Sequence, residues 1–159
     1  MFERIIVPLD GSRLSAQAIP YATEIGKRFD SEVVLVRVLP PPGPTTIPVD
    51  INTGNIGEII SQDMQTKDVD NPSNAKRYLM NWTQSLKTQG VKTSYQVTIG
   101  TPAKSIMEMA QAQQASLIVM MSHGRGWVKR AIMGSVADEI LSHSSVPVLI
   151  IRAKDVEKK

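Results

Sequence analysis

Short apolar segments rich in valine and isoleucine recur along the chain, separated by longer stretches of mixed polarity. Segments this short with this composition are typical of β-strands. Near-continuous apolar runs, unlike alternating ones, indicate strands that are covered on both faces. The pattern predicts five strands, at residues 4–9, 32–39, 91–99, 116–121 and 146–151.

Helical periodicity occupies the stretches between the predicted strands. After the first strand, apolar residues recur every three or four positions, which gives a helix one apolar face; they are Leu14, Ala18, Ala22, Ile25 and Phe29. We expect Pro20 to kink this helix, because proline removes a hydrogen bond from a helix interior. Thr101 followed by Pro102 predicts the N-cap and first turn of a later helix, which ends near Gln114.

The alternation of strands and helices determines the expected fold class. Strand–helix–strand units form parallel sheets, so we predict an α/β fold of three layers, with helices on both faces of a doubly wound parallel sheet. Ligands of such sheets bind beyond the carboxyl ends of the strands, where the winding direction reverses. Residues 8–12 and 121–135, which follow the first and fourth strands, are therefore the first candidates for a functional site.

The last predicted strand contains Pro147, which has no amide hydrogen to donate to a neighbouring strand. Such a proline belongs on an edge strand, so we place this strand at the edge of the sheet. An apolar edge invites pairing with another chain. We predict a homodimer that pairs along this strand, through Val146, Val148 and Ile150. A helix or loop of the same chain that covers the edge is the alternative.

The stretch 39–74 departs from the regular pattern, because it begins with four prolines around Gly43 and continues with mostly polar residues. Connections of this length are either functional lids or disordered segments. We expect a flexible, disordered connection, with a short helix near residues 57–65 as the part able to dock. No repeat or second core is apparent, so residues 1–159 are predicted to form one domain.

Composition narrows the functional classes. Hydrophobic residues make up 42% and charged residues 21% of the chain, which are ordinary values for a globular domain. The chain has no cysteine, hence neither disulfides nor thiolate metal sites. We expect a cytoplasmic protein, because no apolar run is long enough for a membrane span or a signal peptide. A net charge of +3 with 4% aromatic residues argues against nucleic acid as a partner.

Glycines punctuate the segment that follows the fourth strand. It reads Met121, Ser122, His123, Gly124, Arg125 and Gly126, and nine residues separate Gly124 from Gly134, which precedes Ser135. Glycine lets the backbone approach a phosphate closely, and the predicted helix 136–143 would present its first amides to an anion. Ser135 is expected to cap that helix and to donate its hydroxyl to a phosphate oxygen. The alternative is a loop in which the glycines only turn the chain and Ser135 is only an N-cap.

The ends of the first two strands supply further candidates. Asp10 can accept hydrogen bonds from a ribose, and Val38 can offer its backbone to the edge of an adenine. The alternatives are that Asp10 only favours the N-terminus of the first helix, that Ser12 is only an N-cap and that Val38 only packs in the core.

Together these residues resemble the universal stress protein family over nearly the whole chain. The resemblance is carried by the opening Arg4-Ile-Ile-Val-Pro-Leu-Asp-Gly-Ser, the Gly100-Thr-Pro turn, the Ser122-His-Gly-Arg-Gly loop and the closing Ser145-Val-Pro-Val-Leu-Ile-Ile. It implies a Rossmann-like fold of the adenine nucleotide alpha hydrolase type, with a five-stranded parallel sheet in the order 3-2-1-4-5 and a dimer paired through the last strand. One branch of this family binds ATP with a phosphate loop that reads G-x2-G-x9-G-[ST].

By position, the resemblance assigns Asp10 to the ribose, the Val38 backbone to the adenine, and Gly124, Gly134, Ser135 and the Val136 amide to the phosphates. Met121 stands where the branch has its first glycine, and a side chain there disfavours positive φ. If φ at Met121 is negative and the side chain points into the core, nucleotide binding survives; otherwise the protein has lost the nucleotide or changed its ligand. The expected nucleotide-binding residues are Pro8, Asp10, Ser12, Val38, Met121, His123, Gly124, Arg125, Gly134, Ser135 and Val136.

Three functions are open on this sequence. The favoured one is a stress-response or signalling switch that binds an adenine nucleotide, ATP or else ADP or AMP, with slow or no hydrolysis and with Mg or Mn on the phosphates. The second is an enzyme, either a weak ATP hydrolase or one that uses Ser12 or Ser122 beside His123 and Asp10. The motifs of a serine-hydrolase elbow, a dinucleotide fold and a Walker loop are absent from the sequence. The third is a dimeric stress protein without nucleotide.

Overall fold

The computed structural model describes residues 1–42, 71–122 and 134–152 of the chain. Its elements are β1 (Arg4–Pro8), a 3-10 turn (Ser15–Ala18), α1 (Ile19–Phe29), β2 (Glu32–Leu39), α2 (Pro72–Thr88), β3 (Lys92–Ile99), α3 (Pro102–Ala112), β4 (Leu117–Met121), α4 (Ser135–His143) and β5 (Val148–Ile151). The predicted short helix near residues 57–65 lies outside the described residues. Within the described ranges, no helix combines the length and apolarity that crossing a membrane would demand.

The strands form one parallel sheet in the order β3-β2-β1-β4-β5. The register between β2 and β3 runs from Glu32 opposite Lys92 to Leu39 opposite Ile99. On the other side of the sheet, β4 pairs with β5 from Ile118 opposite Val148 onward. The predicted α/β fold with strand order 3-2-1-4-5 is confirmed.

Successive side chains of the strands enter two separate hydrophobic clusters, one on each face of the sheet. The first cluster lies under α1 and α2 and includes Ile5, Val7, Val33, Leu35, Leu79, Leu86, Leu117 and Val119. The second lies under α3 and α4 and includes Ile6, Val34, Val36, Ile106, Ile118, Met120, Ala137 and Ile140. Both faces of the sheet are therefore buried, which explains the near-continuous apolar runs of the strands.

Proline positions account for two differences from the sequence-based expectation. The kink expected at Pro20 is wrong: the 3-10 turn ends at Ala18, and Pro20 lies in the first turn of α1, where its missing amide hydrogen costs no helical bond. The connection expected to extend to residue 74 ends earlier, because α2 begins at Pro72. The side chain of Asn71 caps α2 by accepting a 2.8 Å hydrogen bond from the Ser73 amide.

The last strand lies at an edge of the sheet, as its proline predicted. β5 begins at Val148, and Pro147 precedes it with its carbonyl oxygen 2.9 Å from the Ile118 amide. Pro147 therefore contributes to the sheet only as an acceptor, which needs no amide hydrogen. The side chains of Val148 and Ile150 are partly buried against the second cluster.

Candidate functional site

The candidate site lies beyond the carboxyl end of β1, at the centre of the sheet. The chain leaves β1 toward α1 on one face and leaves β4 toward α4 on the other. β1 and β4 are neighbours, because Ile5 pairs with Leu117 and Ile6 with Ile118. Two adjacent strands whose chains diverge to opposite faces leave a crevice between their ends. The described ends of β1 and β4, with the first turn of α4, therefore lie on either side of one crevice.

The turn after β1 is built around the Asp10 carboxylate, which is partly buried. Its Oδ1 accepts a 2.8 Å hydrogen bond from the Ser12 amide, and the Asp10 amide donates to the Ser15 hydroxyl at 3.2 Å. The Ser12 hydroxyl in turn accepts from the Ser15 amide at 3.0 Å. The Ser12 hydroxyl therefore holds the amide of the first residue of the 3-10 turn, whose N-cap is Leu14. A carboxylate has several acceptor lone pairs, so the bond from Ser12 does not use all those of Asp10.

The backbone of Val38 is directed toward the same crevice. β1 ends at Pro8, which lies opposite Val36, and the Leu9 amide donates to the Val36 carbonyl at 2.8 Å. Alternate residues of a strand direct their backbone groups to the same neighbour. The amide and carbonyl of Val38 consequently face the side of β1 at a level beyond its last residue, while its side chain packs against the second cluster.

Met121, the residue that replaces the expected glycine, is the last residue of β4 and is buried in the first cluster. Its φ is not positive, since the described non-glycine residues with positive φ are Asp30 and Gln114. Both conditions for tolerating a side chain at this position are therefore met. The methionine packs into the core and imposes no strained backbone at the crevice.

A backbone hydrogen bond joins the two residues that flank the segment between β4 and α4. The Ser122 amide donates to the Ile151 carbonyl at 2.9 Å, and the Gly134 amide donates to the Ser122 carbonyl at 2.7 Å. Ser122 is buried, which favours a structural role over that of a nucleophile. The predicted residues His123, Gly124 and Arg125 lie outside the described residues.

The N-terminus of α4 faces the same end of the sheet. Gly134 is its N-cap in extended conformation, with φ −61° and ψ 148°, and no side chain caps the helix. The expectation that Ser135 is the cap is wrong, because Ser135 is already the first helical residue. The first bond along the helix is donated by the Asp138 amide to the Gly134 carbonyl at 2.9 Å. The amides of Ser135 and Val136 thus belong to the first turn, where helix amides have no intrahelical acceptor.

Arg37 was missed from the sequence, although it interrupts the apolar run of β2 with a charge. It is only 4% exposed, and it is the one charged residue among the buried side chains of the described ranges. Its guanidinium lies directly against Gly11, so that a side-chain carbon on Gly11 would collide with Nη1 and lie 3.1 Å from Cζ. Gly11 has φ +83°, which is a second reason for glycine there.

Tyr78 of α2 lies close to both charges at this end of the sheet. Burial raises the pKa of its hydroxyl, the Asp10 charge raises it further, and the Arg37 charge opposes the rise. Asp10 comes from the turn after β1, Arg37 from β2 and Tyr78 from α2, so three elements meet at this point.

Known proteins match this chain over nearly its full length. The sequence model of the universal stress protein family matches residues 1–152. A curated relative, universal stress protein MJ0531 of Methanocaldococcus jannaschii, is 29% identical over 152 residues, which cover 96% of this chain and 83% of the relative.

Solved structures share the fold. The structure of protein MJ0577 of Methanocaldococcus jannaschii has a TM-score of 0.74 at 24% identity and covers 98% of this chain and 99% of its own. A universal stress protein in complex with cAMP has a TM-score of 0.67 at 20% identity, over 96% and 98% of the two chains. A family member from Arabidopsis thaliana with AMP bound has a TM-score of 0.66 at 16% identity, over 98% and 94%.

Proposed function

The chain belongs to the universal stress protein family, and from that premise we propose that it binds an adenine nucleotide, with ATP as the first candidate, in the crevice between β1 and β4. Binding serves a stress-response or signalling switch in which hydrolysis is slow or absent. Two structural relatives contain adenine nucleotides, cAMP in one and AMP in the other. That precedent supports the ligand class, and the residues of this chain have to support the site.

The observation that carries the proposal is the convergence of three complementary groups at one crevice. Asp10 presents a partly buried carboxylate for ribose hydroxyls, and the backbone of Val38 points to the same side for the adenine edge. The first turn of α4, with Ser135 and Val136, offers amides and a positive dipole end to phosphates. A nucleotide joins its adenine to its phosphates through the ribose, and these groups offer a partner to each of the three parts. In the proposal, Pro8 and Ser12 shape the β1 side, and His123, Gly124 and Arg125 belong to the phosphate loop.

The burial of Met121 weighs against the alternative of a family member without nucleotide. That alternative rested on a methionine side chain in the place where a phosphate would approach. The side chain instead packs in the first cluster and leaves the backbone of β4 regular. We therefore propose that loss of this glycine weakens nucleotide binding at most modestly.

A divalent cation, Mg²⁺ or Mn²⁺, would be held by the phosphates of the nucleotide. In the described parts of the chain, no three His, Asp or Glu side chains come together in a metal-binding group. The cation would screen the phosphate charges, and the helix end and the loop would orient them. The proposal places the protein in the cytoplasm, where ATP is abundant, as one domain with the stretch 39–74 as a connection.

We also propose that β5 forms the contact of a homodimer. Because Pro147 and Ile151 direct their carbonyls to β4, the intervening Val148 and Ile150 direct their backbone groups to the free edge. Analytical ultracentrifugation of the wild type would give the mass of a dimer. Ile150→Pro removes one edge donor and would shift the mass toward a monomer, and a wild type that is monomeric throughout would refute this contact.

The nucleotide proposal is tested by mass spectrometry of protein purified without added nucleotide and then denatured. Release of an adenine nucleotide is the expected result. As a matched measurement, calorimetric titration of Mg·ATP into nucleotide-free wild type and Met121→Gly should give affinities within about tenfold of each other. Binding by Met121→Gly alone would favour the stress protein without nucleotide. Phosphate release that disappears in His123→Ala would favour the hydrolase.

A further inference from the structure

A buried arginine lies beside the residue proposed to hold the ribose. Arg37 is 4% exposed and stands in a strand whose neighbouring residues are apolar. An arginine in such a place is costly, because its charge must be removed from water, and it is stable there only when it has an oppositely charged or hydrogen-bonding partner. Burial of a full charge at this end of the sheet therefore requires an explanation.

Glycine at position 11 determines where the Arg37 side chain lies. A side-chain carbon at Gly11 would collide with Nη1 of Arg37 and would lie 3.1 Å from Cζ and 3.3 Å from Nη2. The Nη1 end of the guanidinium is therefore the part that lies against Gly11. Asp10 is the residue before Gly11, so the guanidinium lies one residue along the turn from Asp10. The Tyr78 hydroxyl lies near both Asp10 and Arg37. Burial raises its pKa, the Asp10 charge raises it too, and the Arg37 charge lowers it.

We infer that Arg37 is a positioning residue for Asp10: its guanidinium, fixed against Gly11, orients the carboxylate so that it accepts a ribose hydroxyl. The inference rests on the proposed nucleotide site and adds the group that prepares it. The Ser12 amide holds Oδ1 from the turn side at 2.8 Å. In this inference the guanidinium approaches the carboxylate from the β2 side, so that the two neighbours together fix its orientation.

This arrangement predicts that Arg37 sets the selectivity for ribose without touching the nucleotide. A planar guanidinium orients a carboxylate better than a flexible ammonium does. An apolar residue of similar length would fill the same volume but would leave the Asp10 carboxylate held by the Ser12 amide alone. The affinity for the phosphates and the adenine would change little, whereas discrimination between a ribose and a deoxyribose would be lost.

The test compares Arg37→Met, Arg37→Lys and Arg4→Met with the wild type. Arg4 is the matched control, because it is an arginine on the adjacent strand that pairs with an acidic residue at the opposite end of the sheet. Calorimetry gives the affinities for ATP, 2′-deoxy-ATP and 3′-deoxy-ATP. NMR of the nucleotide-free proteins follows the Ser12 amide, which donates to Asp10, and thermal unfolding verifies that each variant is folded.

The wild type and Arg4→Met should bind ATP more tightly than at least one deoxy analogue, by about tenfold, the contribution of one hydrogen bond to a charged group. In Arg37→Met this ratio should fall toward one and the Ser12 amide should shift, and Arg37→Lys should restore part of both. Full discrimination in folded Arg37→Met, with an unchanged Ser12 amide, would overturn the inference and leave the nucleotide site standing. A wild type that binds no nucleotide would refute the proposed function, and an unshifted Ser12 amide in Arg37→Met would still refute the positioning role.

Discussion

An arginine lies at each end of the pair of strands β1 and β2, and the surroundings of the two arginines differ. At the amino end, Arg4 of β1 pairs with Glu32 of β2, with Nη2 2.9 Å from Oε2. Both side chains are about one third exposed. At the carboxyl end, Arg37 of β2 is 4% exposed and lies against Gly11 of the turn after β1.

The amino-end pair is a contact of the fold's surface. Arg4 also donates to the Gln113 carbonyl at 2.6 Å, and Glu32 accepts from the Ser94 hydroxyl at 2.8 Å, so the groups satisfy one another and remain in contact with water. Exposed pairs of this kind contribute little to stability. The carboxyl-end arginine is removed from water at the place where α/β sheets bind ligands. Burial of the arginine, and not the presence of an ion pair, therefore distinguishes the end of the sheet that carries the candidate site.

The largest effect is expected from Gly11→Ala. Its methyl group would enforce an unfavourable φ and displace the Arg37 guanidinium, and the two costs together would lower the free energy of unfolding by about 3 kcal/mol. Gly90→Ala is the matched control, because Gly90 has φ +82° and nothing within 4 Å of the added carbon. It should cost only the conformational part, about 1 kcal/mol. Urea denaturation of both variants measures the difference, and equal costs would show that Arg37 yields without loss.

Arg37→Met should have the next largest effect on stability, a loss of about 2 kcal/mol, because a buried guanidinium packed against the turn after β1 loses its hydrogen-bonding interactions. The excess cost of Gly11→Ala over Gly90→Ala should also disappear when Arg37 is replaced, which a double-mutant cycle by urea denaturation measures. An Arg37→Met variant as stable as the wild type would indicate that the buried guanidinium has no stabilising partner.

Arg4→Met should cost less than about 1 kcal/mol, because the Arg4–Glu32 pair is partly exposed. The same denaturation experiment measures it beside Arg37→Met. A loss as large as that of Arg37→Met would contradict the distinction between the two ends.

The smallest effect concerns pH at the amino end. The hydrogen bond from the Ser94 hydroxyl has the largest effect on the pKa of Glu32 and lowers it. Desolvation raises this pKa, whereas Arg4 lowers it further. A carboxylate with a lowered pKa stabilises the fold above its unfolded pKa of about 4.3, and that stabilisation disappears as the pH falls through its folded pKa. The stability difference between the wild type and Glu32→Gln should therefore be positive at pH 7 and shrink below about pH 4. In the Ser94→Ala background, the change of this stability difference with pH should be smaller. A stability difference that does not change with pH would contradict a lowered pKa for Glu32.

The sheet could be predicted from the sequence because its signal is local. Five apolar runs and a proline in the last one were enough for the strands and the edge, and the family resemblance gave their order. Asn71 and Pro72 form the same pair of N-cap residue and proline as Thr101 and Pro102. The start of α2 was nevertheless missed, because Asn71 and Pro72 follow a long polar stretch that was assigned to the connection. The burial of Arg37 could not be predicted, since a single charged residue in an apolar strand is compatible with an exposed edge position and with a buried one. Its burial results from Gly11 and α2, which are distant in sequence.

For the candidate site, single residues could be assigned but not their geometry. Asp10 and Val38 came from their positions at strand ends; the structure has Asp10 in the turn after β1 and the Val38 backbone facing the side of β1. Met121 left two outcomes open, because its side chain could be assigned to the core only once β4 and the first cluster were known. The N-cap of α4 is Gly134, one residue before the expected Ser135. Side-chain preference alone does not determine a helix boundary to one residue.

Binding of an adenine nucleotide in this crevice through Asp10 is tested by calorimetric titration of Mg·ATP into the wild type and Asp10→Asn. The wild type should bind saturably, and Asp10→Asn should bind about 10- to 100-fold more weakly, the loss expected for hydrogen bonds to a charged acceptor. Equal affinities in the two folded proteins, or no binding by the wild type, would contradict it.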